Sequence, residues 1–205
     1  MTMLITDQNK NKVLLWTIAY SMTVYFIPAY FPITPPLYLE LTEFEKKIPL
    51  NSLWVFPYIY LYPFCIIIAL KIKNLKNINI LLLAFYFIQF VAFWIFILFP
   101  IAYPREFYPL EYVSRIDINL LRLIRIIDKS HNCLPSMHVA NVVLMFLGMV
   151  QENKKSFWWA FPTTILICLS TLFVKQHYIL DVFWGIILGC FGYYLSYFFF
   201  KLRKI

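Results

Sequence analysis

The sequence predicts an all-α membrane protein, six transmembrane helices bundled into a single domain over residues 1–205. Three observations predict it. The chain is 62% hydrophobic and only 14% charged, whereas a soluble domain carries roughly a quarter charged residues. Its apolar residues fall in blocks near the ~20 residues that a helix needs to cross a bilayer. Its basic residues are also divided unequally between the two predicted sides of those blocks.

The predicted spans are Val13–Pro32, Leu53–Leu70, Ile78–Ala102, Leu134–Val150, Trp158–Val174 and Ile179–Phe200. The fourth is the shortest and opens with polar residues. The first has no small-residue cleavage pattern after it and reads as a retained span, not a signal peptide. Between the spans lie loop one (Ile33–Asn51, with an acidic run from Glu40 to Glu45), the basic loop two (Lys71–Asn77) and the long loop three (Tyr103–Cys133). Loops four (Gln151–Phe157) and five (Lys175–Tyr178) and the tail Lys201–Ile205 complete the chain.

Orientation follows from the distribution of Lys and Arg. The N-terminus, loops two and four and the tail hold ten basic residues against two acids, Asp7 and Glu152. Loops one, three and five, with the adjoining start of the sixth span, hold eight of each sign, so the whole net charge of +8 lies on one side. Both termini are therefore expected in the cytoplasm. Basic residues dispersed at span ends are topology signals and not a nucleic-acid patch, so no nucleic-acid partner is expected. Trp54, Trp158, Trp159 and Trp184 sit near span ends, where amphipathic rings favour the headgroup region. Of the four cysteines, three fall inside apolar blocks and only Cys133 lies in a polar loop, which argues against a disulfide framework.

All three histidines fall on the outward side, His131 and His138 around the start of span four and His177 before span six. An ionisable group at a span is costly and so points to function; for His131 a wet interfacial histidine suffices. His177 and Asp181 are four apart, on one face of a helix. A carboxylate on one imidazole nitrogen fixes the tautomer and leaves the other nitrogen basic, as a nucleophilic histidine requires. The same face continues through Gly185, Gly189 and Gly192, small residues that let membrane helices approach closely, with span four as the expected partner. In Pro135-Ser136-Met137-His138, a proline at a helix start leaves the Ser136 and Met137 N–H groups to bind an anion such as phosphate. His138 would then donate a proton to the leaving oxygen.

Pro135-Ser136-Met137-His138 followed by His177-Tyr178-Ile179-Leu180-Asp181 resembles the paired signatures of the type 2 phosphatidic acid phosphatase superfamily. That superfamily includes lipid phosphate phosphatases, bacterial phosphatidylglycerophosphate and undecaprenyl pyrophosphate phosphatases, and vanadium haloperoxidases. The Leu-Pro-Ser-Met-His and Lys-Gln-His-Tyr forms look closest to its branch of inositol phosphorylceramide and related sphingolipid synthases. The resemblance implies an active site at the outer ends of helices four and six, with the catalytic motifs within residues 104–181. His177 would be the nucleophile that forms a phosphohistidine, Asp181 its orienting carboxylate and His138 the general acid. Ser136 and the nearby amides would hold the phosphate.

Two departures from the family pattern matter. The superfamily's Ser-Arg ahead of the nucleophile is Ser170-Thr171 here, so the family's arginine is missing and Lys175 is the expected substitute. The upstream Lys…Arg-Pro signature is not recognisable, and Arg105 is ranked first for its cation, with Arg115, Arg122 and Arg125 as competitors. No metal or cofactor is expected. The function expected is hydrolysis of a lipid phosphomonoester or pyrophosphate in the membrane. The second reading is a lipid head-group phosphotransferase with an alcohol acceptor, and the third a transporter or scaffold. The clustering of ionisable residues at one face counts against transport. A bacterial inner membrane is the first choice of location, with the site facing the periplasm or exterior.

Overall fold

The computed structural model describes residues 5–6, 8–111 and 113–202. Asp7, Arg203 and Lys204, which entered the charge comparison, lie outside the described residues. Helix α1 (Lys10–Tyr30) is followed by strand β1 (Leu37–Tyr38) and the short α2 (Glu43–Lys47). A 3-10 turn at Ser52–Trp54 leads into α3 (Val55–Ile59) and α4 (Leu61–Lys71), which together make one apolar stretch of 20 residues. Then come α5 (Leu75–Leu98), β2 (Ile101–Ala102), α6 (Ile116–Ile127), α7 (Met137–Glu152), α8 (Phe157–Phe173) and α9 (Ile179–Leu202).

Among the described residues, four helical stretches are long and apolar enough to cross a membrane: Ser52–Lys71, Leu75–Leu98, Lys154–Phe173 and Ile179–Leu202. The first expected span is the 21-residue α1, with Pro28 inside it, and the fourth is the 16-residue α7. The expected third span ends early. After α5 stops at Leu98, Ile101 and Ala102 form a short parallel ladder with Leu37 and Tyr38 of loop one. Loop three is not simply a loop, because it carries the 12-residue helix α6.

The core is a seam between α7 and α9, backed by α5. The glycines of α9 make the seam possible. A Cβ at Gly185 would lie 2.6 Å from the Ser136 carbonyl oxygen, and one at Gly189 would lie 2.7 Å from that of Ala140. Four residues further along α9 meet four further along α7, so the two helices run parallel with their N-termini at the same end. Gly192 turns towards Ile88 of α5, and Gly148 of α7 towards Leu81 of α5. At the far end of the bundle, Asn74 caps α5 by accepting the Lys76 and Asn77 N–H groups. There Glu152 accepts the Lys73 and Asn74 N–H groups and the Asn77 amide, joining loop two to the end of α7.

Candidate active site

The parallel seam brings the two predicted motifs together. Ser136 is the N-cap of α7, its hydroxyl accepting the Val139 N–H. The expectation of a free Ser136 N–H is not met: it donates to the Asp181 carbonyl at 3.1 Å and so ties α7 to α9. The cap leaves the Met137 and His138 N–H groups without a protein acceptor among the described residues.

The other motif follows a tight turn. The Gln176 N–H donates to the Thr171 carbonyl and the Lys175 N–H to that of Leu172, a Schellman closure of α8. The left-handed position of that closure, usually glycine, is Lys175 at φ 58°. The turn leads directly into His177, two residues before α9 begins at Ile179.

His177 and Asp181 are both buried. Nδ1 of His177 lies 3.2 Å from Oδ2 of Asp181 and 3.1 Å from the Cys133 carbonyl oxygen. A carbonyl oxygen can only accept, so the proton belongs on Nδ1 and the lone pair of the neutral ring is on Nε2. Oδ2 of Asp181 is itself fixed by the Tyr178 N–H at 2.8 Å. The ring centre of His138 stands 5.7 Å from that of His177, edge-on, and 4.6 Å from that of Tyr58, tilted.

The cations divide into two groups. Arg105 donates to the side-chain carbonyl of Gln176, next to His177, and to the backbone carbonyl of Asp128. Its Nε, and Nε and Nη2 of Arg125, are buried without an acceptor among the described residues. Burial, with the Arg105 charge beside it, pushes the Arg125 guanidinium down to about 10, still charged at neutral pH. Lys175 is spent elsewhere, its ammonium 3.3 Å from the Glu45 carbonyl oxygen and 4.3 Å from the centre of the Tyr108 ring. Burial lowers its pKa, and the Glu45 charge offsets part of that. Arg115 pairs with Asp117, and Arg122 with Asn119 and the Glu111 carbonyl.

Several residues that hold this arrangement were not among the sequence candidates. The carboxylate of Asp128 accepts the hydroxyls of Tyr25 and Tyr58 and so links α1 and α3 to the His138 stack. Glu45 accepts the Ile179 N–H at 2.7 Å, capping the helix that carries Asp181, and it also closes a capping box on Thr42. Only Glu45 had a readable signal, since Thr42-x-x-Glu45 is a capping-box pattern.

Cys133 Sγ, a His177 nitrogen and an Asp181 oxygen lie within 4.8 Å of one another, a set that could hold a metal ion. Their chemistry fits a hydrogen-bonded cluster better. Burial and the Asp181 charge push the Cys133 thiol well up. The thiol points at the Ser130 carbonyl at 3.0 Å, and Nδ1 of His177 keeps its proton between two oxygens.

Residues 45–195 match the family model of the PAP2 superfamily, from Glu45 to Leu195 in α9, with both histidine motifs inside the match. The chain belongs to the PAP2 superfamily. No curated relative and no solved structure matches it. Membership supports a phosphatase-type function on a phosphoester or lipid phosphate, and the apolar helices are consistent with a protein integral to the membrane. Helix α1, which supplies Tyr25, lies before the matched region.

Proposed function

We propose that the protein is a membrane lipid phosphatase that hydrolyses a lipid phosphomonoester or pyrophosphate through a phosphohistidine on His177. The observation that carries this reading is the pair of oxygens around Nδ1 of His177, which leaves Nε2 as the nucleophile, with His138 beside it. Nε2 attacks phosphorus as the phosphorus–oxygen bond to the leaving group breaks, and His138 gives its proton to that oxygen. Water then attacks the phosphohistidine and gives a proton back to His138. Inorganic phosphate leaves and Nε2 is restored.

Charge on the transferring phosphoryl is balanced by fixed donors. The Met137 N–H, the first turn of α7 and the guanidiniums of Arg105 and Arg125 support that role. Ser136 contributes by capping and by tying α7 to α9, and Lys175 by holding Glu45 and Tyr108. In this reading six helices span the bilayer with both termini cytoplasmic, in a bacterial inner membrane. The site then lies at the outer ends of the fourth and sixth spans, where a lipid phosphate sits at headgroup height.

The test is phosphate release by purified protein from a panel of lipid phosphates. Release by the wild type should fall by about 10³-fold or more in His177→Ala. Equal rates would overturn the nucleophile. Formation of a new labelled lipid in place of free phosphate would move the protein to the phosphotransferase reading.

A further inference from the structure

The helix within loop three has an outward face that water does not suit. In α6, Ile116 is 72% exposed, Leu123 51%, Ile126 61% and Ile127 48%. Together with the half-buried Leu120 they form one stripe along the helix, interrupted by the exposed Asn119. The opposite face packs inward, with Leu121 against Val55, Tyr58 and Val174. It also carries Arg125, whose guanidinium feels the charge of Arg105. A helix apolar on its outward face and docked on its inward one has a second apolar partner.

Both ends of α6 are fastened to the ends of other helices at the histidine end of the bundle. At its start, Asp117 accepts the hydroxyl of Ser52, the first residue of the candidate span Ser52–Lys71. At its end, the Ile127 carbonyl accepts the Tyr30 hydroxyl at 3.0 Å, from the last residue of α1. Lys129 then lies 5.4 Å from the centre of the Tyr30 ring. At the start of that span Leu53 and Phe56 are exposed as well. A 12-residue helix is about 18 Å long, enough to bridge neighbouring span ends across the bilayer surface.

We infer that α6 is an interfacial helix seated in the leaflet on the side of the histidines, its outward face among the lipid acyl chains and headgroups. The inference rests on the membrane-spanning reading of Ser52–Lys71 and not on the catalytic assignment. It gives α6 two contacts at once, lipid on one face and the Tyr58 and Arg125 side of the site on the other. A lipid substrate in that leaflet therefore meets α6 before it reaches His138 and His177.

The test needs no activity. Leu123→Cys, Ile126→Cys and, as the water-facing control, Glu106→Cys are reconstituted into phospholipid vesicles and exposed to a membrane-impermeant maleimide. Wild type, with its own four cysteines, gives the background. The control should label about tenfold faster than either α6 variant. Equal labelling at all three positions would overturn the inference. So would oxidative cross-linking of Leu123→Cys between two copies, which would assign the face to a second chain. The double variant Leu123→Glu/Ile126→Glu should lose turnover of a bilayer-embedded lipid phosphate while keeping that of a water-soluble phosphomonoester. Equal effects on both would count against lipid seating. Absence of turnover in the wild type would instead refute the phosphatase reading and leave the labelling result standing.

Discussion

Where α7 meets α9, the contacts that place the histidines are between backbones, with glycine opposite carbonyl oxygen and the Ser136 N–H on the Asp181 carbonyl. In the layer above, made of loops one, three and five and α6, the contacts are side chains reaching to distant parts of the chain. Glu45 reaches Ile179, Arg105 reaches Asp128 and Gln176, and Lys175 reaches back to Glu45. The seam holds by shape and tolerates almost no change in volume. The layer holds by charge and tolerates changes in volume but not in polarity. In the proposed mechanism the seam would present the nucleophile, and the layer would present the cations that a phosphoryl group needs.

The largest effect expected in the layer separates Arg105 from Lys175. Arg105→Ala should lower phosphate release by about 10²–10³-fold, the usual cost of removing one fixed donor from a developing charge. Its thermal stability should change less than its activity. Lys175→Gly keeps the left-handed turn available and removes only the side chain. It should lose the Glu45 and Tyr108 contacts and melt earlier, while turnover per folded molecule stays within about tenfold of wild type. A reversal, with Lys175→Gly inactive and Arg105→Ala active, would restore Lys175 as the phosphate-binding cation.

This contrast also shows what could be read from sequence. His177 and Asp181 are four residues apart, so helical geometry alone pairs them, and the glycines that follow announce a close helix neighbour. The layer has no such local grammar. Glu45 and Ile179 are 134 residues apart, Tyr25 and Asp128 are 103, and Arg105 and Gln176 are 71. No periodicity links residues at such separations. The turn before His177 was hidden for another reason, because a lysine and not a glycine occupies its left-handed position. Helix α6 was legible in principle, since Ile116, Leu120, Leu123 and Ile127 keep helical spacing. Its 12 residues are too few to span a bilayer, so the pattern of apolar blocks does not mark it.

An intermediate effect tests the seam. Gly185→Ala places a Cβ 2.6 Å from the Ser136 carbonyl oxygen and 2.9 Å from Cβ of Val139, both on a packed helix that cannot yield locally. Overpacking of this kind costs about 1–3 kcal/mol, read as a lower melting temperature in detergent. Because Ser136 caps α7 and its N–H holds the Asp181 carbonyl, turnover per folded molecule should fall as well. Gly192→Ala faces the Ile88 side chain of α5, further from the histidines, and should cost stability without that second loss. If both variants lose turnover equally, the seam is acting only as a stability element.

The smallest effect concerns the attachment of α6, and it depends on pH. The Ser52 hydroxyl, at 2.6 Å, is the main influence holding the Asp117 carboxyl below its usual range, and Arg115 adds to it at 2.7 and 3.2 Å. A carboxyl whose folded value is depressed stabilises the attachment above its unfolded value of about 3.9. That contribution is lost as pH falls through the lower folded value. The protection of α6 amides in vesicles, taken relative to their intrinsic exchange rate at each pH, should therefore be unchanged from neutral pH down to about pH 5, then fall on further acidification below the unfolded value near 3.9. Asp117→Asn should lower that protection at neutral pH and flatten its acid fall, while the α7–α9 seam stays protected throughout. If the seam loosens together with α6, the two regions are not separable and the layer is needed for the seam to hold.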